Sequence, residues 1–142
     1  TDAEAGDTRL SKTPRRNGTA RLDDLESDYD FFVYQSNVAP IPIIRNEELM
    51  LIDAEVQAHL GHTMEAVNAI NKVRSLASLK IYSGPTDLNS LITEILKQRR
   101  YSLYGEGHRW IDMRRYDRLN ELPIDRPGDD VWVQFPRPAT EA

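Results

Sequence analysis

The stretch QRRYSLYGEGHRWIDMRRYDR, Gln98 to Arg118, gathers most of the groups in this chain that could do chemistry together. Arg99, Arg100, Arg109, Arg114, Arg115 and Arg118 are interleaved there with Glu106, Asp112, Asp117 and His108. Such a set suits a phosphate-binding surface, an acid/base cluster, or internal ion pairs that brace two helices. The spacing favours bracing. Glu106, Arg109, Asp112 and Arg115 follow one another every third residue, where side chains on a helix are neighbours, whereas a nucleic-acid helix would present its arginines unpaired. These four are read as a structural ion network, with Glu106, Arg109 and Asp112 buried where an elbow meets the other helices.

Other candidate chemistry is weaker. Glu55, His59 and His62 have the donor types of a zinc site, but Gly61 ends the helix between the two histidines and the set need not converge, so no metal is assigned. His108 beside Glu106 and Asp112 resembles an oriented base, yet no Ser, Thr or Cys stands at a spacing that completes a triad. Adjacent acids such as Glu47 and Glu48, or Asp53 and Glu55, point in different directions on a helix and do not set the separation that glycoside hydrolysis needs. Gly105 and Gly107 lack the rest of a phosphate-loop pattern, and Trp132 in VWVQF is read as cover for the core in preference to a sugar platform. No catalytic residue and no cofactor are assigned.

The balance of the whole chain agrees. Its 142 residues carry a net charge of -5, with 39% hydrophobic and 29% charged residues, and the pI is near 5.2. That composition predicts one folded unit with a modest core and argues against a protein built to grip phosphate backbones. Without cysteine there is no disulfide, thiolate metal site or thiol nucleophile. No apolar run approaches the roughly 20 residues that span a bilayer.

The elements that must position these groups follow from periodicity. Residues 1–40 are read as an irregular, loop-like segment and 41–142 as the helical region. FFVYQ and VWVQF are expected as short strands. Asn46 caps a first helix whose inward stripe is Leu49, Ile52, Val56 and Leu60, stopped by Gly61. Ala66, Ile70, Val73 and Ala77 line a second helix, and the short connection between the two forces an antiparallel hairpin. Leu88, Leu91, Ile92, Ile95, Leu96, Arg99 and Leu103 mark a third helix capped at Thr86, and Trp110, Met113, Tyr116 and Leu119 a fourth. The expected fold class is mainly α, with tetratricopeptide-like antiparallel helix pairs and irregular flanking loops. Met50, Ala54, Gly61, Ala66 and Ile70 fit that 34-residue pattern, while Asp53 and Val73 depart from it.

Four blocks carry a resemblance. PIPIIRNEELMLIDAEVQAHLG, EAVNAINKVRSLASL, LITEILKQRRYSLYGEGHRWIDMRRYDRL and FPRPATE, in that order, resemble the C-terminal part of the SusD/RagB family of outer-membrane nutrient-binding lipoproteins. The similarity runs from Ile41 to Glu141, with a fainter match at DTRL. It implies a helical platform that is lipid-anchored to the outer membrane of Bacteroidetes-type bacteria and captures glycans or other oligomeric nutrients with a TonB-dependent transporter. It also implies that this chain is one part of a longer protein, whose lipid anchor lies elsewhere. Where the family usually has glutamate this chain has Gln98 and Ser102, so the arginines are expected to lack two of their acids. No sugar-contacting residue is carried over. The alternatives are a helical-repeat scaffold for a protein or peptide partner and, more remotely, a glycoside-acting enzyme.

Overall fold

The computed structural model describes every residue except Thr1, Pro136, Ala139, Glu141 and Ala142, so the FPRPATE block lies partly outside the described residues. A 3-10 turn at Thr8–Lys12 precedes two antiparallel strands, β1 (Arg15–Leu22) and β2 (Leu25–Tyr29). Four helices follow: α1 (Asn46–His59), α2 (Thr63–Leu76), α3 (Leu88–Ser102) and α4 (His108–Arg115). The architecture is mainly α, as expected, and none of the helices is long and apolar enough to cross a membrane.

Helices α1 and α2 pack as the expected hairpin, and α3 lies chiefly against α1. The core comprises Leu51, Ala54 and Ala58 from α1, Ala66, Ala69, Ile70 and Val73 from α2, Leu91, Ile92, Ile95 and Leu96 from α3, and Met113 from α4. The stripe assigned to α1 is a correction: Leu49, Ile52, Val56 and Leu60 are exposed. Leu51, Ala54 and Ala58 have helical spacing too, and the two alanines allow backbones to approach where bulkier side chains would hold them apart. Size selected the buried face over hydrophobicity.

The helix ends show how much a stop depends on backbone. Gly61 (φ 76°), Ser78 (φ 59°) and Asp117 (φ 53°) all sit in the left-handed region after α1, α2 and α4. In each case the following amide reaches back to the helix: His62 N–H to Gln57 O at 2.9 Å, Leu79 N–H to Arg74 O at 2.9 Å, Arg118 N–H to Met113 O at 2.8 Å. These are Schellman closures. Only the first uses glycine, so only the first was readable. The start of α3 belongs to Asp87 and not Thr86, since the Asp87 carboxylate accepts the Ser90 amide at 3.0 Å.

Three further expectations are corrected. The segment read as irregular contains the hairpin, turned by Asp23 and Asp24, both at positive φ as a two-residue hairpin turn demands. Both strands are almost wholly exposed, so neither carries the apolar alternation that marks a half-buried strand. FFVYQ and VWVQF are not strands. Phe31 packs near Tyr104, ring centroids 5.7 Å apart, and Phe135 lies 4.9 Å from Trp110. Trp132 is half exposed, and its carbonyl accepts the Trp110 indole N–H at 2.8 Å.

Gly105 in the elbow has two reasons to be glycine. Its φ is 80°, and a Cβ there would lie 2.4 Å from the Phe31 ring. A Cβ on Gly61 meets nothing within 4 Å. Gly61→Ala should therefore cost about 1 kcal/mol from backbone strain alone, and Gly105→Ala about twice that because Phe31 must also move. Urea unfolding of both variants checks this; equal losses would mean that Phe31 shifts freely.

Candidate functional site

The polar contacts of the arginine-rich stretch and its surroundings fall into two layers. In the first, the Arg99 Nε donates to Asp112 Oδ2 at 2.6 Å, with both side chains nearly inaccessible. Arg115 donates to both Glu55 carboxylate oxygens at 2.5 and 3.0 Å and lies 3.4 Å from Asp112. Arg45 pairs with Glu106 at 2.5 Å. The layer thus ties α1 to α4 and α3 to α4, and Arg45, ahead of α1, to the elbow. Burial pushes the Glu55 carboxyl up, but Arg115 and the Tyr116 hydroxyl together more than offset this and hold it below the ordinary carboxylate range.

The network therefore differs in wiring from the every-third-residue scheme. Of Glu106, Arg109, Asp112 and Arg115, only Asp112 and Arg115 touch each other, and at the longest distance in the layer. The partners come from other elements: Arg45, Glu55 and Arg99. Asp112 is fully buried, whereas Glu106 and Arg109 are only partly so. Arg109 makes no ion pair among the described residues; it lines a cleft of about 510 Å³ with Tyr104, Trp110 and Leu122. Burial there lowers its guanidinium pKa, and nearby Arg100 adds to the effect. Arg114 lies over the Trp110 ring at 5.3 Å, and Arg118 donates to Asn89 and Thr93.

The second layer was not anticipated. Arg74, itself buried, donates to Glu94 at 2.5 Å and, through two nitrogens, to both oxygens of Glu4 at 2.9 and 2.7 Å. Glu94 accepts the Gln98 side-chain amide at 2.8 Å, and the Gln98 carbonyl accepts Arg9 at 2.8 Å. Arg9 also donates to Ser102 Oγ at 3.0 Å and pairs with Asp7 at 2.7 Å. Gln98 and Ser102 thus receive an arginine whose charge is balanced by Asp7, two residues before it. Around positions 98 and 102 the acids are Glu94 and Asp7, while Arg99 uses Asp112 and Arg100 uses Asp2. The DTRL match was the one sequence signal for this layer.

The Arg74 hydrogen bonds, against the opposing effect of burial and with help from Lys97, hold the Glu4 carboxyl down to about 2. A carboxyl depressed in the folded state stabilises above its unfolded pKa, and that contribution disappears as pH falls through the folded value. Acidification from about pH 4.5 toward pH 2 should loosen residues 2–12 before the helices. Hydrogen exchange reads this at Thr8, whose amide donates to Ala77 O. Protection there should fall first; simultaneous loss in Ile70 or Ile95 would show that the segment does not open separately.

The remaining candidates disperse. His59 meets the Tyr116 hydroxyl at 3.2 Å and His62 meets Gln57 at 2.9 Å, so the two imidazoles face different partners. His108 sits 3.4 Å from Arg99 and 3.9 Å from Glu48, with no hydroxyl nucleophile in either contact. Among the described residues no group of three or more His, Cys, Asp or Glu could hold a metal ion. Ile52 and Val56 of α1, Leu60 just after it and Ile111 of α4 line an open apolar groove of about 520 Å³ whose rim carries Glu55, His59 and Arg115.

Comparison with known proteins places this geometry. The curated SusD-like protein P38 of Formosa agariphila is 28% identical over 149 residues, a match that takes in 92% of this chain and 29% of that protein. The chain therefore spans less than a third of the length of that relative. A crystal structure of a SusD superfamily protein from Bacteroides vulgatus is 31% identical and superposes with a TM-score of 0.53, covering 55% of this chain and 17% of that one. The helix pairs are tetratricopeptide-like, as in that fold. The sequence profile of the SusD family matches residues 26–135, from the end of the hairpin through all four helices. The chain belongs to the SusD family.

Proposed function

We propose that this chain is the helical-pair region of a nutrient-binding component of an outer-membrane uptake system, that the nutrient is a glycan, and that the component works without catalysing a reaction. The observation that carries this reading is the family match across residues 26–135. The wiring of the arginines supports it: Arg45, Arg74, Arg99 and Arg115 are engaged by carboxylates from other elements, as bracing requires, and are not aimed together into one cleft. In the full-length protein a lipid anchor would hold the molecule at the membrane and a TonB-dependent transporter would be its partner. The domain division follows the same reading, with residues 41–142 forming part of a larger helical domain.

The test uses the full-length protein. Incubated with a panel of polysaccharides, it should retain at least one and release no reducing ends. Failure to retain any, or the appearance of reducing ends, would overturn the binding-only role. Co-purification with the transporter from detergent-solubilised outer membranes examines the partner.

A second reading, a helical-repeat scaffold that takes a protein or peptide, is favoured by the apolar groove of Ile52, Val56, Leu60 and Ile111. Four exposed aliphatic side chains around one groove suit a macromolecular contact better than a sugar, which needs flat aromatic faces and hydrogen-bonding groups. Val56→Asp should leave stability within about 0.5 kcal/mol, as for an exposed position. If it abolishes association with another protein while polysaccharide retention is unchanged, the scaffold reading is the better one.

A further inference from the structure

The segment from Asp2 to Lys12 is attached to α2 and α3 almost entirely by polar groups. Asp7 is its one buried residue, held by Arg9 of the same segment, and Leu10 is exposed. Asp2 pairs with Arg100 and accepts the Tyr101 hydroxyl at 2.9 Å. Glu4 takes Arg74 and, at 3.0 Å, Lys97. Arg9 enters between Gln98 and Ser102, and Lys12 donates to the carbonyls of Tyr101 and Ser102, which end α3 and have no onward helical partner. The face of α2 and α3 thus offers three cations to two acids, then a polar notch to an arginine, then a helix C-terminus to a lysine.

We propose that this face is a peptide-binding trench selective for an acidic segment followed by an arginine, and that residues 2–12 are its resident ligand, held in cis and exchangeable. The physical reason is the contrast in what holds each part together. The helices are joined by the apolar core, whose loss unfolds the molecule. The segment is joined by ion pairs and hydrogen bonds, several of them at least partly solvated, which water can replace and salt can screen. Opening the segment therefore costs less than global unfolding. Once it opens, Arg74, Lys97 and Arg100 face solvent with Glu94 as the one acid among them, a local cationic strip on a chain of net charge -5. Recognition has direction as well as charge, because the amide of Gln98 donates to Glu94 and its carbonyl is left for an incoming guanidinium.

The experiment keeps the whole chain. A protease site is inserted between Thr13 and Pro14, the protein is folded intact and then cleaved, and a fluorescent peptide of residues 2–13 is added. The labelled peptide should exchange into the cleaved chain, seen as a rise in anisotropy and co-elution on gel filtration. A peptide carrying Glu4→Lys should bind at least about tenfold more weakly, having exchanged two attractive contacts for repulsion. Binding should weaken several-fold between about 0.1 and 1 M NaCl. Three results would overturn the proposal: no association with a cleaved chain whose helical circular dichroism is intact, equal binding of the Glu4→Lys peptide, or loss of helicity on cleavage, which would make the segment part of the core and not a ligand.

Discussion

Asp112→Ala should lower the stability of this chain by about 3 to 5 kcal/mol, the largest loss expected from any single change in the ion layers. The reason lies less in the attraction between Asp112 and Arg99 than in what remains when one of them goes. The Arg99 side chain is 7% accessible and that of Asp112 is 4%. A guanidinium at such a site has little water to turn to; of its remaining neighbours, the His108 imidazole lies at 3.4 Å, and Glu55, whose carboxyl also feels Arg99, is already engaged by Arg115. Arg115 would lose little, because its principal partner is Glu55. Replacing both members, Arg99→Met with Asp112→Leu, should recover most of the loss, since a well-packed apolar pair often equals or exceeds a buried ion pair. Urea unfolding followed by circular dichroism measures all three proteins. A loss below about 1 kcal/mol for Asp112→Ala would mean that water reaches Arg99 readily.

Gln98→Glu should destabilise this chain, by roughly 2 to 4 kcal/mol at pH 7. Gln98 is fully buried and faces an acid on one side and an arginine on the other. A glutamate keeps the acceptor for Arg9 but loses the donor to Glu94, which places two carboxylates at hydrogen-bonding distance. The pair escapes repulsion by holding one shared proton, and the cost of that proton bounds the loss. Each pH unit above a free glutamate's value of about 4.3 adds about 1.4 kcal/mol. The sign follows: the folded variant binds a proton that the unfolded chain releases, so its stability rises as pH falls. The deficit against the unmodified chain should shrink steadily from pH 7 and nearly vanish near pH 4.5. A deficit that stays constant with pH would show that the carboxylates move apart instead of sharing a proton.

The two variants show why the site was only half legible. That Asp112 and Arg115 are paired could be argued from the interleaving of charges, because acids and arginines on one helix favour pairing over display. Which acid meets which arginine could not. The four-residue scheme assumed partners on the same helix, but α4 is eight residues long and its charged side chains reach more partners on α1 and α3 than along their own axis. Glu55, read as a possible metal ligand, is the partner of Arg115. Arg74 carried no local sign of its role, and the DTRL match around Arg9 did not name its partners, since Arg74 meets Glu94 across 20 residues and Arg9 meets Ser102 across 93.

By itself the sequence determined the helical class, the places of α1 to α4, the stop at Gly61 and the family, because these rest on interactions within a few residues: periodicity, caps, a glycine that tolerates positive φ, and short ordered motifs. Tertiary structure alone decided which face of α1 is buried, where Ser78 and Asp117 end their helices, and how the arginines are partnered. Two apolar stripes ran along α1, and the choice between Leu51, Ala54 and Ala58 and the bulkier Leu49, Ile52 and Val56 was made by how closely α2 and α3 could approach. Ion pairing is decided in the same way, because a charge has no periodicity and takes as its partner whatever opposite charge the packed backbones bring within reach.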